Sequence, residues 1–191
     1  MSIRDEQRER VVEKLSAHLL ANGLAKMSLR QLAAAAGVSD RMLLYYFEDK
    51  AEVLSASLER IAGQMMASLE RALPEGQVFH VADFVSRAAG VAGQPEMRGF
   101  MRLWVEVIAA AARNEVPFAA ISNQIIFGFQ AWVESRLDLP DGVDRAGVAL
   151  AIIALIDGLA LIEICVGEQP MARAVRALAI LTSAGGTPQS A

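Results

Sequence analysis

The side chains with usable chemistry gather between Ser28 and Lys50, in the stretch SLRQLAAAAGVSDRMLLYYFEDK. Ser39, Asp40, Arg41 and Met42 open one short helical segment there, and Tyr45, Tyr46 and Lys50 follow at its end. Ser28 and Arg30 open the segment before it. Arg41 can give two parallel hydrogen bonds to a guanine O6/N7 edge, worth ~1–3 kcal/mol of discrimination. Tyr45, Tyr46 and Lys50 suit phosphate oxygens, which position a protein without reading sequence. Free N–H groups at the helix starts near Ser28 and Lys50 add to the attraction for a phosphate. Each group also has a plainer reading. Tyr46 can be a packing residue, Asp40 a cap-region carboxylate, and Arg41 and Lys50 solvated charges.

Such groups need rigid elements behind them, and the sequence predicts helices throughout. Apolar residues recur at helical spacing and almost nowhere alternate. A first helix is expected from Arg4 to Ala21, ended by Asn22-Gly23, with Val11, Val12, Leu15 and Leu19 on one face. Ser28 followed by Gln31 is a capping-box pattern for a second helix. Leu29, Leu32, Ala33 and Ala36 face inward from it. Gly37 supplies a residue that tolerates φ > 0, as a tight helix–helix turn requires. Ser39 then caps a third helix, whose Leu43 joins Val38 in the core. Asp49 with Glu52 caps a long fourth helix, Lys50–Leu73. Five more are expected at Val78–Ala92, Glu96–Asn114, Pro117–Leu137, Asp144–Val166 and Met171–Ser183. Pro95, Pro117 and Pro170 stand where helix-starting prolines are tolerated, and Gly167 is a stop signal. The fold class is therefore all-α. The expected division is 1–50 for a three-helix domain that contains the two-helix reading head, 51–73 for a connecting helix, 74–183 for a second domain, and 184–191 for a disordered tail.

Composition narrows the function classes. The chain has 191 residues, is 54% hydrophobic and carries a net charge of −4. Residues 1–50 hold +1 of that balance and the remainder −5. Any binding of a polyanion must therefore come from placement of charge rather than bulk charge. A single cysteine, Cys165, excludes an intrachain disulfide and suits a reducing cytoplasm. The charged N-terminus has no apolar signal segment. Asp157 and Glu163 interrupt the apolar run Ala146–Val166, so no membrane span is expected. His18 and His80 are far apart, and there is no metal-ligand cluster, phosphate loop or nucleophile elbow. No enzyme, cofactor or metal is expected.

Residues 11–58 resemble the N-terminal domain of the tetracycline-repressor (TetR) family of bacterial transcription regulators. Ser28-x-x-x-Leu32-Ala33, Ala36-Gly37-Val38-Ser39, Leu43, Tyr46-Phe47, Lys50 and Leu54 carry the likeness. The resemblance implies a helix-turn-helix that docks in the major groove of double-stranded DNA. Two positions depart from the family pattern. Arg41 replaces a common Gly, which suggests an unusual operator. Leu44 replaces a Tyr that usually touches the DNA backbone, so Tyr45 takes that contact or the affinity is lower.

Two-fold dimers of such heads meet palindromic sites. Val148–Val166 is apolar nearly all round and should be buried on more than one side. The helices Asp144–Val166 and Met171–Ser183 are the expected homodimer interface, with Gly147, Ala151, Ala154 and Gly158 allowing close approach and Ala174, Val175, Leu178, Ile180 and Leu181 completing it. The resemblance further implies a small-molecule effector in the second domain. Met66, Phe100, Met101, Trp104, Ile125 and Phe129 are candidate apolar contacts for it. Glu106 and Asp157 are candidate polar anchors, since a carboxylate in apolar surroundings needs a partner. Asp157 and Glu163 both read better as seam or cap residues. The expected function is a ligand-responsive repressor. The alternative is a helical small-molecule-binding or interaction protein with weakened DNA binding.

Overall fold

The computed structural model describes residues 2–24 and 28–184, with side chains described as far as Leu178. Among the described residues it is helical: α1 Ile3–Asn22, α2 Leu29–Ala36, α3 Asp40–Tyr46, α4 Lys50–Ala72, α5 Val81–Ala92, α6 Arg98–Ala112, α7 Phe118–Glu134, α8 Arg145–Val166 and α9 Glu168–Ala184. A 3-10 turn, Pro95–Met97, precedes α6. The expected disordered tail lies, beyond Ala184, outside the described residues. So do the side chains of Ile180 and Leu181.

The chain packs as two compact units, one of residues 1–66 and 102–125, the other of residues 67–101 and 126–191. Helices α4, α6 and α7 each contribute residues to both, so the units run across the linear division expected from the sequence.

In the first unit the predicted signals act where they stand. Ser28 accepts from the Gln31 N–H while the Gln31 side chain accepts from the Ser28 N–H, a complete capping box. Gly37 takes the left-handed conformation, φ 72° and ψ 33°, and its N–H reaches back to the last turn of α2. Ser39 caps α3 through the Met42 N–H. Asp49 accepts from the Glu52 N–H at 2.9 Å, and Glu52 accepts from the Glu48 N–H at 2.6 Å. The apolar faces are buried, with Leu15, Leu19, Leu32, Leu43 and Val53 fully inaccessible. Two buried serines join α1 to α4: Ser16 donates to the Ser57 carbonyl, and Ser57 to that of Val53. Arg8 adds an ion pair to Glu52 at 3.0 Å while stacking on the Phe47 ring. Arg60 pairs with Glu9.

The second unit is centred on Leu73, Phe84, Val85, Ala88, Val133, Leu137, Ala149 and Ile152. A smaller cluster of Ala89, Leu159 and Met171 ties α5 and α8 to α9. Helix α5 begins at Val81 rather than Val78 because Phe79 is committed to a bridge with the strand-like segment after α7. Its N–H donates to the Arg136 carbonyl at 2.8 Å, and its carbonyl accepts from Asp138 at 2.9 Å. Helix α9 begins at Glu168, not at Met171. Pro170 then stands third in the helix, still within the first turn, where a missing N–H costs nothing. Gly167 separates α8 from α9 at φ 91°.

The charged residue at the centre of this unit is Arg136, 5% exposed. It grips both oxygens of Glu70 at 2.7 Å, donates to the carbonyls of Leu73 and Trp132, and stacks over the Trp132 ring at 4.4 Å. Trp132 Nε1 donates to the same Glu70 carboxylate at 2.9 Å. These bonds hold the Glu70 carboxyl below the usual glutamate range, the Trp132 bond first and Arg136 second.

Helix α8 is 22 residues long and, by length and composition alone, apolar enough to cross a membrane. Ala149, Ile152, Leu159 and Ala160 are buried, whereas Leu150, Leu161, Ile162, Ile164 and Val166 are exposed. At 100° per residue, the exposed Leu150, Ala154, Leu161 and Cys165 fall in one stripe with the half-buried Gly158. Gly147 has a different task. Its N–H bonds the Asp144 cap, and a Cβ there would lie 2.5 Å from the Asp144 carboxylate.

Candidate nucleic-acid interface

A seven-residue helix has little intrinsic stability and takes its position from caps and packing. For α3 these are the Ser39 cap, the Gly37 turn, and the buried Leu43, Tyr46 and Phe47. The other side of α3 is open. Ser39, Asp40, Arg41, Met42 and Tyr45 are all exposed, as are Ser28 and Arg30 at the head of α2 and Lys50 at the head of α4. Arg41 and Tyr45 are one turn apart and share a face.

The predicted residues separate at Tyr46. It is 8% exposed, and its ring meets the Tyr45 ring edge-on at 5.3 Å. Tyr46 thus belongs to the packed side of α3 and Tyr45, 57% exposed, to the open side. Leu44, 49% exposed, adds an apolar side chain to the open surface. One participant escaped the sequence reading. Arg4 Nη2 donates to the Tyr45 carbonyl at 3.1 Å, and its guanidinium stacks on the Tyr45 ring at 5.0 Å. A pairing 41 residues apart leaves no local pattern to read.

The candidate effector residues divide between the units. Met66, Trp104, Glu106 and Ile125 fall in the first, and Phe100, Met101, Phe129 and Asp157 in the second. Met101 is buried; Met66, Phe100, Trp104, Ile125, Phe129 and Asp157 are partly buried. Glu106 is exposed and faces the reading head's own loop. Its Oε2 accepts from the Leu24 N–H at 2.5 Å, just past the end of α1. Gly23 makes room for it, because a Cβ there would lie 2.5 Å from Oε1. Glu163 is held by Arg98, which also reaches Glu168, both at 2.7 Å. This joins the start of α6 to the end of α8 and the start of α9. Those two bonds, Glu163 first, raise the Arg98 pKa.

The arrangement is a capped two-helix head presenting donors and a cation on one open surface. That is the build of a DNA-binding transcription regulator. Residues 16–57 match the family of bacterial regulatory proteins called the tetR family. Over those residues the chain resembles that family. Comparison with curated proteins finds no match. Among solved structures, the chain is similar to a TetR-family transcriptional regulator from Cytophaga hutchinsonii, with a TM-score of 0.79 at 16% identity, covering 96% of each chain. It is also similar to a transcriptional regulator from Rhodococcus sp. Rha1, with a TM-score of 0.72 at 20% identity, covering 95% of this chain and 99% of that one. A third likeness is to a protein from Saccharomonospora viridis, assigned as a transcriptional regulator and solved in complex with choline. Its TM-score is 0.66 at 16% identity, covering 90% of this chain and 94% of that one. At these identities the structures establish the shared fold.

Proposed function

We propose that the protein is a ligand-responsive repressor of the cytoplasm that binds a palindromic operator as a homodimer and leaves it when a small, mostly apolar effector binds. The observation that carries this reading is the two-sided build of α3. Leu43, Tyr46 and Phe47 fix one side, while Ser39, Asp40, Arg41, Met42 and Tyr45 stand free on the other. In the major groove Arg41 reads a base edge, while Ser28, Arg30, Tyr45 and Lys50 meet phosphates.

The exposed stripe of α8 supports dimerisation, since contiguous exposed apolar surface marks an interface. A second copy of the same helix, with α9 beside it, covers the stripe about a two-fold axis. Effector and operator then favour different states of the dimer, and each weakens the other's binding. A coupling of ~1–3 kcal/mol corresponds to roughly 5–150-fold derepression. Glu106 offers a mechanical route, because its bond to Leu24 ties α6 to the loop that leads into α2. The candidate effector contacts remain Met66, Trp104 and Ile125 in the first unit and Phe100, Met101, Phe129 and Asp157 in the second. The choline carried by the Saccharomonospora viridis relative suggests trying quaternary ammonium compounds in an effector screen, since aromatic faces attract such cations.

The test is selection of random duplex DNA by the purified protein at moderate salt, followed by sequencing. A palindrome is expected, and Arg41→Ala should blur its base preference. Recovery of no motif from a folded dimer would favour a helical binding protein with weakened DNA affinity, a reading for which the exposed Leu44 speaks.

A further inference from the structure

The exposure of Tyr45 is not explained by the fold. Its ring is 57% exposed, yet it is held from two sides, edge-on by Tyr46 and from above by the Arg4 guanidinium. Arg4 lies in the first turn of α1, outside the helix-turn-helix. One of its donors, Nη2, satisfies the Tyr45 carbonyl, one of the last carbonyls of α3 that lack a helical partner. A guanidinium carries five N–H groups, so donors remain for another acceptor. Its charge is felt through space by the neighbouring Asp5 carboxylate, without a contact ion pair. Arg8, Arg60, Arg98, Arg113 and Arg136 each end on a carboxylate, whereas among the described residues none lies within 4.0 Å of Arg4.

We propose that Arg4 and Tyr45 together form a seat for a DNA phosphate at the C-terminal end of α3, extending the DNA-binding surface from the helix-turn-helix onto the start of α1. The inference rests on the reading that α3 enters a groove. A phosphodiester placed there takes a hydrogen bond from the Tyr45 hydroxyl and a charge-assisted one from the guanidinium. Arg41, one turn earlier on the same face, continues the line toward the bases. Leu44, half exposed beside Tyr45, has no group with which to do this work. The seat is sequence-independent, because neither group addresses a base edge.

The experiment is fluorescence anisotropy of the full-length protein on the duplex recovered by selection, across a salt series. Arg4→Gln should weaken binding to all duplexes alike and lower the magnitude of the log K against log[salt] slope by about one. Arg4→Lys should keep the slope. Tyr45→Phe should weaken binding with no change of slope, and less so once Arg4 is Gln. Circular dichroism shows whether the helices are intact in each variant. An Arg4→Gln variant with unchanged affinity and slope overturns the seat. So does one that loses affinity at an unchanged slope, because Arg4 would then only hold α3 in place. If the unaltered protein binds no duplex at any salt, the functional reading fails and the seat fails with it.

Discussion

In the reading head, α3 is seven residues long and single positions decide its placement: Ser39 caps it, Gly37 turns the chain into it, Leu43 anchors it. Helix α8 is 22 residues long, and no single position decides its placement. Its apolar residues surround the axis, and only packing separates the buried Ala149, Ile152 and Leu159 from the exposed Leu150, Leu161 and Ile162. The difference follows from what each region has to do. A short helix that must aim a few polar groups needs strict local instructions. A long helix that packs an apolar core, and in the proposed dimer also covers a second copy, needs only length and hydrophobicity.

The sharpest way to break this comparison is to substitute the same residue type in both places. Leu43→Ala removes a fully buried side chain and should cost ~2–5 kcal/mol. Urea unfolding should show it as a lower midpoint, with DNA binding lost as the head loosens. A change below about 1 kcal/mol would mean that α3 is held by its caps rather than by its core.

On α8 the expected damage moves from folding to assembly. Leu161→Glu puts a carboxylate on the exposed stripe, and in the proposed dimer two-fold symmetry places it in the seam twice. The dimer dissociation constant should rise on the order of a hundredfold, as for loss of an interface hot spot. Sedimentation velocity over a range of concentrations reads it directly. A dimer as tight as the unaltered one would send the seam elsewhere.

A smaller effect sharpens the account of the head. Ser39→Ala leaves the Met42 N–H without its cap and should cost about 1 kcal/mol, within a range of ~0.5–2. Because α3 is so short, DNA affinity should fall with it. Ser39→Asp should restore the stability, since aspartate caps as well as serine. If it does not, the serine is held for some property other than capping.

Legibility in the sequence follows the same division. The caps at Ser28, Ser39 and Asp49 and the turn at Gly37 were readable because each signal and its target lie within four residues. The helix starts at Val81 and Glu168 were misplaced for reasons that are not local or not unique. Phe79 bonds across to residues 136–138, and a proline fits anywhere in a first turn. The pairing of Arg4 with Tyr45, the bond from Leu24 to Glu106 and the grip of Arg136 on Glu70 join residues 41, 82 and 66 positions apart. No local pattern announces these. Arg136 did leave a hint, an arginine one helical turn after Trp132.

A last effect depends on pH and lies away from both regions compared above. The Trp132 and Arg136 bonds hold the folded-state pKa of Glu70 below its unfolded value. A depressed carboxylate contributes stability that is fully present above its unfolded pKa and is lost as pH falls through the folded one. Unfolding midpoints in urea should therefore drop between neutral pH and the range below the usual glutamate pKa. Other carboxylates titrate there too, so the informative quantity is the difference from Glu70→Gln. Glutamine can still accept from Trp132 Nε1 but leaves Arg136, 5% exposed, without its counter-charge. The variant should start from a lower midpoint at neutral pH and approach the unaltered protein as pH falls. Trp132 stacks beneath Arg136, so tryptophan fluorescence should register the protonation step in the unaltered protein alone. Two midpoints falling in parallel, with the same gap at every pH, would show that the Glu70 charge does not hold this end of α4 to α7.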